Sequence, residues 1–202
     1  MTNTEDTRTG GKVLPITRWG TPVMHEVTKP VEHFDEELHQ LVRDMFATMA
    51  AADGVGLAAT QVGLGLSVFV YDCPDADMVM RRGVVCNPVV TLPEGKDRVL
   101  DSSEEGCLSH PGGYASVSRP DRAVCHGLDE FGNPVEVIGT GLLARCLQHE
   151  TDHLNGTVYG DRIPSRARRK LDREVADLAW RYPDDWPVSP KLTAAVPPGA
   201  AE

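Results

Sequence analysis

The stretch Thr140–Gly156, TGLLARCLQHETDHLNG, decides how the whole chain is read. Thr140 suits an N-cap, Leu143, Cys146, Leu147 and Leu154 recur at helical spacing, and Asn155-Gly156 supply a stop. The spacing therefore predicts a buried helix. Its second half, His149-Glu150-Thr151-Asp152-His153, fits the pattern H-E-x-x-H. In that pattern the imidazoles at i and i+4 share one helix face and the glutamate beside the first can act as a base. Two histidines on a helix face make only part of a metal site, so the reading depends on a third ligand.

Upstream, Glu105-Gly106-Cys107-Leu108-Ser109 closes a predicted strand, and Cys107 sits in a glycine-flanked turn where its sulfur can approach a metal. Two imidazoles and one thiolate leave a fourth position for water, as in an open catalytic site rather than a closed structural one. The glycine-rich run Gly54-Val55-Gly56-Leu57-Ala58-Ala59 also fits G-x-G-x-x-A. That fingerprint requires a strand before it, and here a helix pattern precedes it, so a dinucleotide site is rejected.

From Val31 to Ala52, Phe34, Leu38, Leu41, Val42, Met45, Phe46 and Met49 recur at threes and fours, which predicts an N-terminal helix. A loop of small residues is expected from Asp53 to Gly65. Strands are expected at 66–71, at 82–92 with Pro88 marking a bulge or an edge, and at 98–109; a hairpin is expected over 122–139. A further amphipathic helix is expected from Ser165 to Arg181, its basic cluster Arg166–Lys170 reading as a solvated face. The fold class is α+β: antiparallel β-sheets packed around a central HExxH-bearing helix, with one helix before the sheet and one at the C-terminus. Residues 1–182 are expected to form a single catalytic domain, and 183–202, rich in proline and alanine, a flexible tail.

The chain has 202 residues and a formal net charge of −10. That acidity argues against nucleic-acid specificity and against an anionic membrane surface, leaving a small molecule or peptide as the substrate class. The start lacks the positive and apolar regions of a secretory signal, and the most apolar region, residues 45–71, is interrupted by Asp53 and glycines. A cytoplasmic protein is expected. Five cysteines without paired spacing fit a reducing compartment.

Taken together, Gly54–Gln61 (GVGLAATQ), Glu105–Ser109 (EGCLS) and His149–His153 (HETDH) resemble, in order, the three signature motifs of peptide deformylase. The resemblance covers residues 12 to 180 and implies Cys107, His149 and His153 as metal ligands and Glu150 as the catalytic acid/base. It implies Gln61, through its side-chain amide, and Leu108, through its backbone N–H, as donors to an oxyanion. It places Gly56, Leu142 and Cys146 near the pocket for the substrate's methionine, although helical periodicity equally assigns Leu142 and Cys146 to plain core. It makes Asp152 a bracing carboxylate with Arg119 as partner, and gives Glu105 a role in orienting a ligand.

The implied reaction removes the formyl group from the N-terminal formyl-methionine of new polypeptides and releases formate. The implied cofactor is one divalent metal, Fe(II), with zinc, nickel or cobalt as substitutes; ligand chemistry alone favours zinc for Cys/His2. Nascent N-formyl-Met polypeptides are the expected partners, with a ribosome contact as an extension of that role. Two residues depart from the family pattern: His110, where an apolar residue is usual, and Arg145, at a helix position near the methionine pocket often filled by an aliphatic one. HExxH by itself leaves a zinc peptidase open, and a non-catalytic metal-containing formyl-peptide binder is the rival outside enzymes.

Overall fold

Helix α1 spans Glu36–Ala51 and begins later than the apolar spacing from Val31 predicts. The Asp35 carboxylate caps it, accepting the N–H groups of Glu37 and Leu38 at 3.1 and 3.2 Å. Val31 is instead tied to Asn87, whose Oδ1 accepts the Val31 N–H at 2.8 Å and whose Nδ2 donates to the Val31 carbonyl at 2.9 Å. A contact between residues far apart in sequence thus overrides the local helical pattern. The structure, a computed structural model, describes residues 10–193.

After α1 come β1 (Gly56–Ala58) and a 3₁₀ turn (Ala59–Val62), so the stretch expected as loop contains a short strand. Next are β2 (Val68–Pro74), β3 (Met80–Thr91), β4 (Leu100–Asp101), β5 (Glu104–Gly106), β6 (Tyr114–Ser116) and β7 (Arg119–Pro120). The strand expected over 98–109 is therefore two short pieces. The predicted hairpin is present as β8 (Arg122–Leu128) and β9 (Pro134–Thr140). Strands β1-β2-β3-β8-β9 form one antiparallel sheet, and β4-β7 and β5-β6 form two-stranded ribbons. The register of β3 against β8 shifts between Cys86 and Val89, at Pro88, which has no N–H to give the ladder.

Strand β2 shows why the middle of the chain is so apolar. Val68 and Val70 enter the core beneath α1, with Met45, Met49 and Leu57. Phe69, Tyr71 and Cys73, on the alternate face, enter a second core with Leu143, Cys146 and Leu147. The sheet is thus buried on both faces. The second core belongs to α2 (Gly141–Leu154), which packs on β1, β2, β8 and β9. Thr140 does stand at the N-cap of α2, but its hydroxyl accepts the Ala76 N–H at 3.2 Å and caps nothing. Helix α3 covers Ser165–Leu178 and continues as a 3₁₀ turn to Arg181.

Part of the stretch expected as a flexible tail is packed. Trp186 is 5% exposed and joins the α1 core; its carbonyl accepts the Ile16 N–H at 2.8 Å. Residues 194–202 lie outside the described residues. Around Trp186 the proline-rich sequence has little periodicity, and what docks it is a large aromatic side chain in the core together with the hydrogen bond from Ile16. No described helix is long and apolar enough to cross a membrane.

Candidate metal centre

Helix α2 presents His149 and His153 on one face, as the i, i+4 spacing requires, and the residue after β5 is Cys107. Their ligand atoms converge: Cys107 Sγ lies 3.3 Å from His153 Nε2, which lies 3.1 Å from His149 Nε2. All three atoms lie within 4.8 Å of one another, and all three residues are buried. On its other side the His149 ring meets a carboxylate, Nδ1 to Glu105 Oε1 at 2.7 Å. That contact assigns the ring proton to Nδ1 and turns the lone pair of Nε2 toward Cys107 and His153. Three electron-rich atoms packed this closely are accounted for by a cation among them, so the donor set fits a divalent metal. No further His, Cys, Asp or Glu among the described residues joins this group.

Glu150 is 3% exposed, and its Oε2 has no hydrogen-bond partner. Burial, reinforced by the nearby Glu105 charge, pushes its carboxyl up to about 7. Gly56 stands directly against it: a Cβ added there would fall 2.5 Å from Glu150 Oε1 and 2.7 Å from Cys146 Sγ. Gly56→Ala is therefore expected to displace Glu150 and lower kcat/KM by about 10²-fold, the order seen when a catalytic group is misplaced by about 1 Å. Steady-state kinetics beside metal analysis checks this, and a variant with wild-type kcat/KM would remove the significance of that contact.

Gln61, in the 3₁₀ turn after β1, is 1% exposed. Its Oε1 accepts the Ala58 N–H at 2.8 Å, which leaves Nε2 to donate toward Cys107 Sγ at 3.6 Å. The amide orientation is thus set by the backbone, with the donor end at the centre. Leu108 follows Cys107, and its side chain packs against the α1 core.

Behind the histidines lies a chain of ion pairs. Arg119 donates to both Glu105 oxygens at 2.6 Å and to Asp152 Oδ2 at 2.9 Å. Arg162 holds Asp152 from the other side. Burial opposes the Glu105 charge, but hydrogen bonds from Arg119 and His149 outweigh it and hold this carboxyl well below the usual range. The expected partnership of Asp152 with Arg119 is present in this geometry, and Arg119 links Asp152 to Glu105 and so to His149.

A cleft of about 380 Å³ opens beside these groups, bordered by Gly56, Gln61, Gly106, Leu142, Cys146 and Glu150. Leu142 is 42% exposed, whereas Cys146 is 4% exposed and lies beside Gly56. Residues of β1 and of β5 both border this cleft, and among the described residues each of these strands pairs with a single strand.

Two departures from the family pattern find their places. His110 stacks on Trp19 with ring centroids 3.6 Å apart and lies 3.5 Å from Asp172 Oδ1 on α3. Burial lowers it to about 4 against the pull of Asp172, so the ring is neutral and apolar-like at neutral pH. Arg145, at a helix position expected near the methionine pocket, borders the cleft but is 5% exposed and turns its guanidinium into the ion-pair chain. Arg162 and Trp186 were not expected near the site at all. Trp186 borders the cleft together with Tyr182, and only a buried aromatic in an otherwise polar segment hinted at it.

The polypeptide deformylase family model matches residues 13–169. Peptide deformylase 1 of Streptomyces avermitilis is 54% identical over 177 residues, covering 87% of this chain and 82% of the relative. Peptide deformylase 2 of Streptomyces coelicolor is 51% identical over 170 residues, covering 84% and 93%. Among solved structures, a peptide deformylase from Legionella pneumophila superposes with a TM-score of 0.74 at 38% identity, covering 83% of this chain and 95% of that one. The peptide deformylase from Synechococcus elongatus in complex with actinonin gives 0.72 at 38% identity, covering 84% and 91%. Order of motifs, fold and close relatives agree: the chain belongs to the polypeptide deformylase family and is an enzyme of that type.

Proposed function

We propose that this enzyme hydrolyses the formyl amide of N-formyl-methionyl polypeptides, and that Cys107, His149 and His153 hold its metal with Glu150 as acid/base. The convergence of one sulfur and two imidazole nitrogens beside a buried, unpartnered glutamate carries this reading. A divalent metal held there supplies Lewis acidity, polarising the formyl carbonyl and making water acidic enough to ionise near neutrality.

The chain's own groups then divide the work. Glu150 takes the proton from the attacking water and returns it to the leaving amine. Gln61 Nε2 and the Leu108 N–H donate to the oxyanion as it develops. Glu105, fixed by Arg119, orients His149, while Asp152 anchors Arg119. The substrate lies as an added strand between the edges of β1 and β5, its methionine side chain toward Gly56, Leu142 and Cys146. Helix α2 is then the element around which the catalytic layer is arranged. The peptidase alternative gains no support from the family match, and a non-catalytic binder would need neither Glu150 nor the oriented Gln61 amide.

Fe(II) is the proposed resident metal, from the family pattern; zinc, nickel and cobalt also suit the donor set. Newly made formyl-Met polypeptides are the proposed substrates, met in the cytoplasm and near the ribosome. Residues 10–182 are read as one catalytic domain to which the segment through Trp186 is docked. Anaerobically purified protein loaded with Fe(II) or Ni(II) is expected to release formate from formyl-Met-Ala-Ser and to leave unformylated Met-Ala-Ser uncut. Folded, metal-loaded protein that releases no formate would sink the substrate assignment, and cleavage of the unformylated peptide would move it to a peptidase.

A further inference from the structure

Arg145 has no part in the reaction as described, yet its guanidinium is buried and committed at both terminal nitrogens. Nη1 donates to Glu105 Oε2 at 2.8 Å and to the Val117 carbonyl at 2.9 Å. Nη2 donates to the carbonyl and to Oδ2 of Asp101, both at 3.0 Å. This use leaves those nitrogens no free donor for a substrate carboxylate, so the residue does not read as a peptide-binding arginine.

Its place in the helix is more informative. Arg145 and His149 are one turn apart on the same face of α2, and they grip the two oxygens of a single carboxylate: Arg145 holds Oε2 of Glu105 and His149 lies against Oε1. Glu105 belongs to β5 and stands two positions before Cys107. The strand that delivers the sulfur is therefore fastened to the helix that delivers both imidazoles by two contacts from successive turns. Arg119, from β7, also ties Glu105 to α2, but through Asp152 at the C-terminal end of the helix; Arg145 adds the direct fastening one turn before His149. An aliphatic side chain at 145 would leave one lone pair of Glu105 and the buried Val117 carbonyl without these donors.

We propose that Arg145 is a positioning residue that sets the register of β5 against α2, and so the distance of Cys107 from His149 and His153. The inference rests on those three residues being the metal ligands. Groups that orient ligands from outside typically change metal affinity by about 10–100-fold when removed. Substituting Arg145→Met keeps an unbranched apolar stem beside the cleft and removes all four donated bonds.

The test uses cobalt(II) added to metal-free full-length protein, with affinity measured by chelator competition, the visible absorption recorded, and melting of the metal-free protein followed in parallel. Wild type is expected to bind one cobalt with sulfur-to-cobalt absorption. Arg145→Met is expected to bind about 10-fold or more weakly with shifted ligand-field bands. Arg145→Lys, which can restore one donor to Glu105, is expected to fall between them. A merely structural role would lower melting and leave affinity and spectrum alone; that result, with wild-type cobalt affinity and bands in Arg145→Met, overturns the proposal. If Arg145→Met does not fold, Arg145→Lys decides: weaker binding with shifted bands supports the proposal, and wild-type values overturn it. Wild-type protein that binds no cobalt, or binds it without sulfur absorption, overturns the ligand assignment and this proposal with it.

Discussion

Glu150→Gln protein is expected to keep its metal and its fold and to release formate from formyl-Met-Ala-Ser about 10²–10⁴-fold more slowly than wild type, the range set by loss of a positioned acid/base. Glutamine has nearly the shape of the glutamate, and Gly56 leaves no spare room there, so the near-isosteric change isolates the proton. Metal should be retained because the converging ligand atoms belong to Cys107, His149 and His153, not to Glu150. Both halves of proton transfer are lost at once: an amide neither accepts the proton of the attacking water nor returns one to the leaving amine. The fall should therefore appear in kcat and kcat/KM alike, as for an interaction made only in the transition state. A rate within tenfold of wild type would remove Glu150 from its role, and a rate loss that merely tracks metal loss would make it a structural support.

The histidine helix was legible because two independent periodicities coincide in it: apolar residues at helical spacing define the buried face, and HExxH places both imidazoles on one side. Cys107 was legible only with the other motifs, since a lone cysteine is ordinarily a small buried hydrophobe, as Cys86 and Cys125 are here. What local pattern cannot encode is partnership across the chain. The start of α1 is displaced by the pairing of Val31 with Asn87. The strand character of Gly56–Ala58 comes from its pairing with β2, against glycine's own preference. Trp186 lies in a segment whose composition reads as unstructured, and it is docked by its core contacts and by a hydrogen bond from Ile16, near the opposite end of the described chain.

Arg145 is the sharpest case of this limit. A charged residue on the buried side of a helix conflicts with the apolar pattern around it, and the sequence offers no sign of which carboxylate neutralises it. The three-dimensional answer is Glu105 together with Asp101, brought in by β5 and β4. Local inconsistency of this kind is a signal in its own right, because burying an arginine is tolerable only where partners have been arranged for it.

Gln61→Glu is expected to lower kcat by about 10²–10³-fold, the loss typical of removing one oxyanion donor. Glutamate retains an oxygen to accept the Ala58 N–H, so the anchor of the side chain survives and the turn after β1 should keep its shape. What changes is the other end, where a donating Nε2 is replaced by an oxygen facing Cys107 and the developing negative charge. Gln61→Leu removes the anchor as well, which separates the two contributions. If the donor matters and the anchor only orients it, both variants lose rate; Gln61→Glu also buries a carboxylate and Gln61→Leu leaves the Ala58 N–H without its acceptor, so urea unfolding of the metal-free protein is read beside the rates. Equal rates for wild type and Gln61→Glu, with metal content unchanged, would leave the Leu108 N–H as the sole donor and make the Gln61 amide a brace for β1. The Ala58 bond fixes which end of the amide is the donor, and that donor faces the Cys107 sulfur, as the proposed oxyanion role requires.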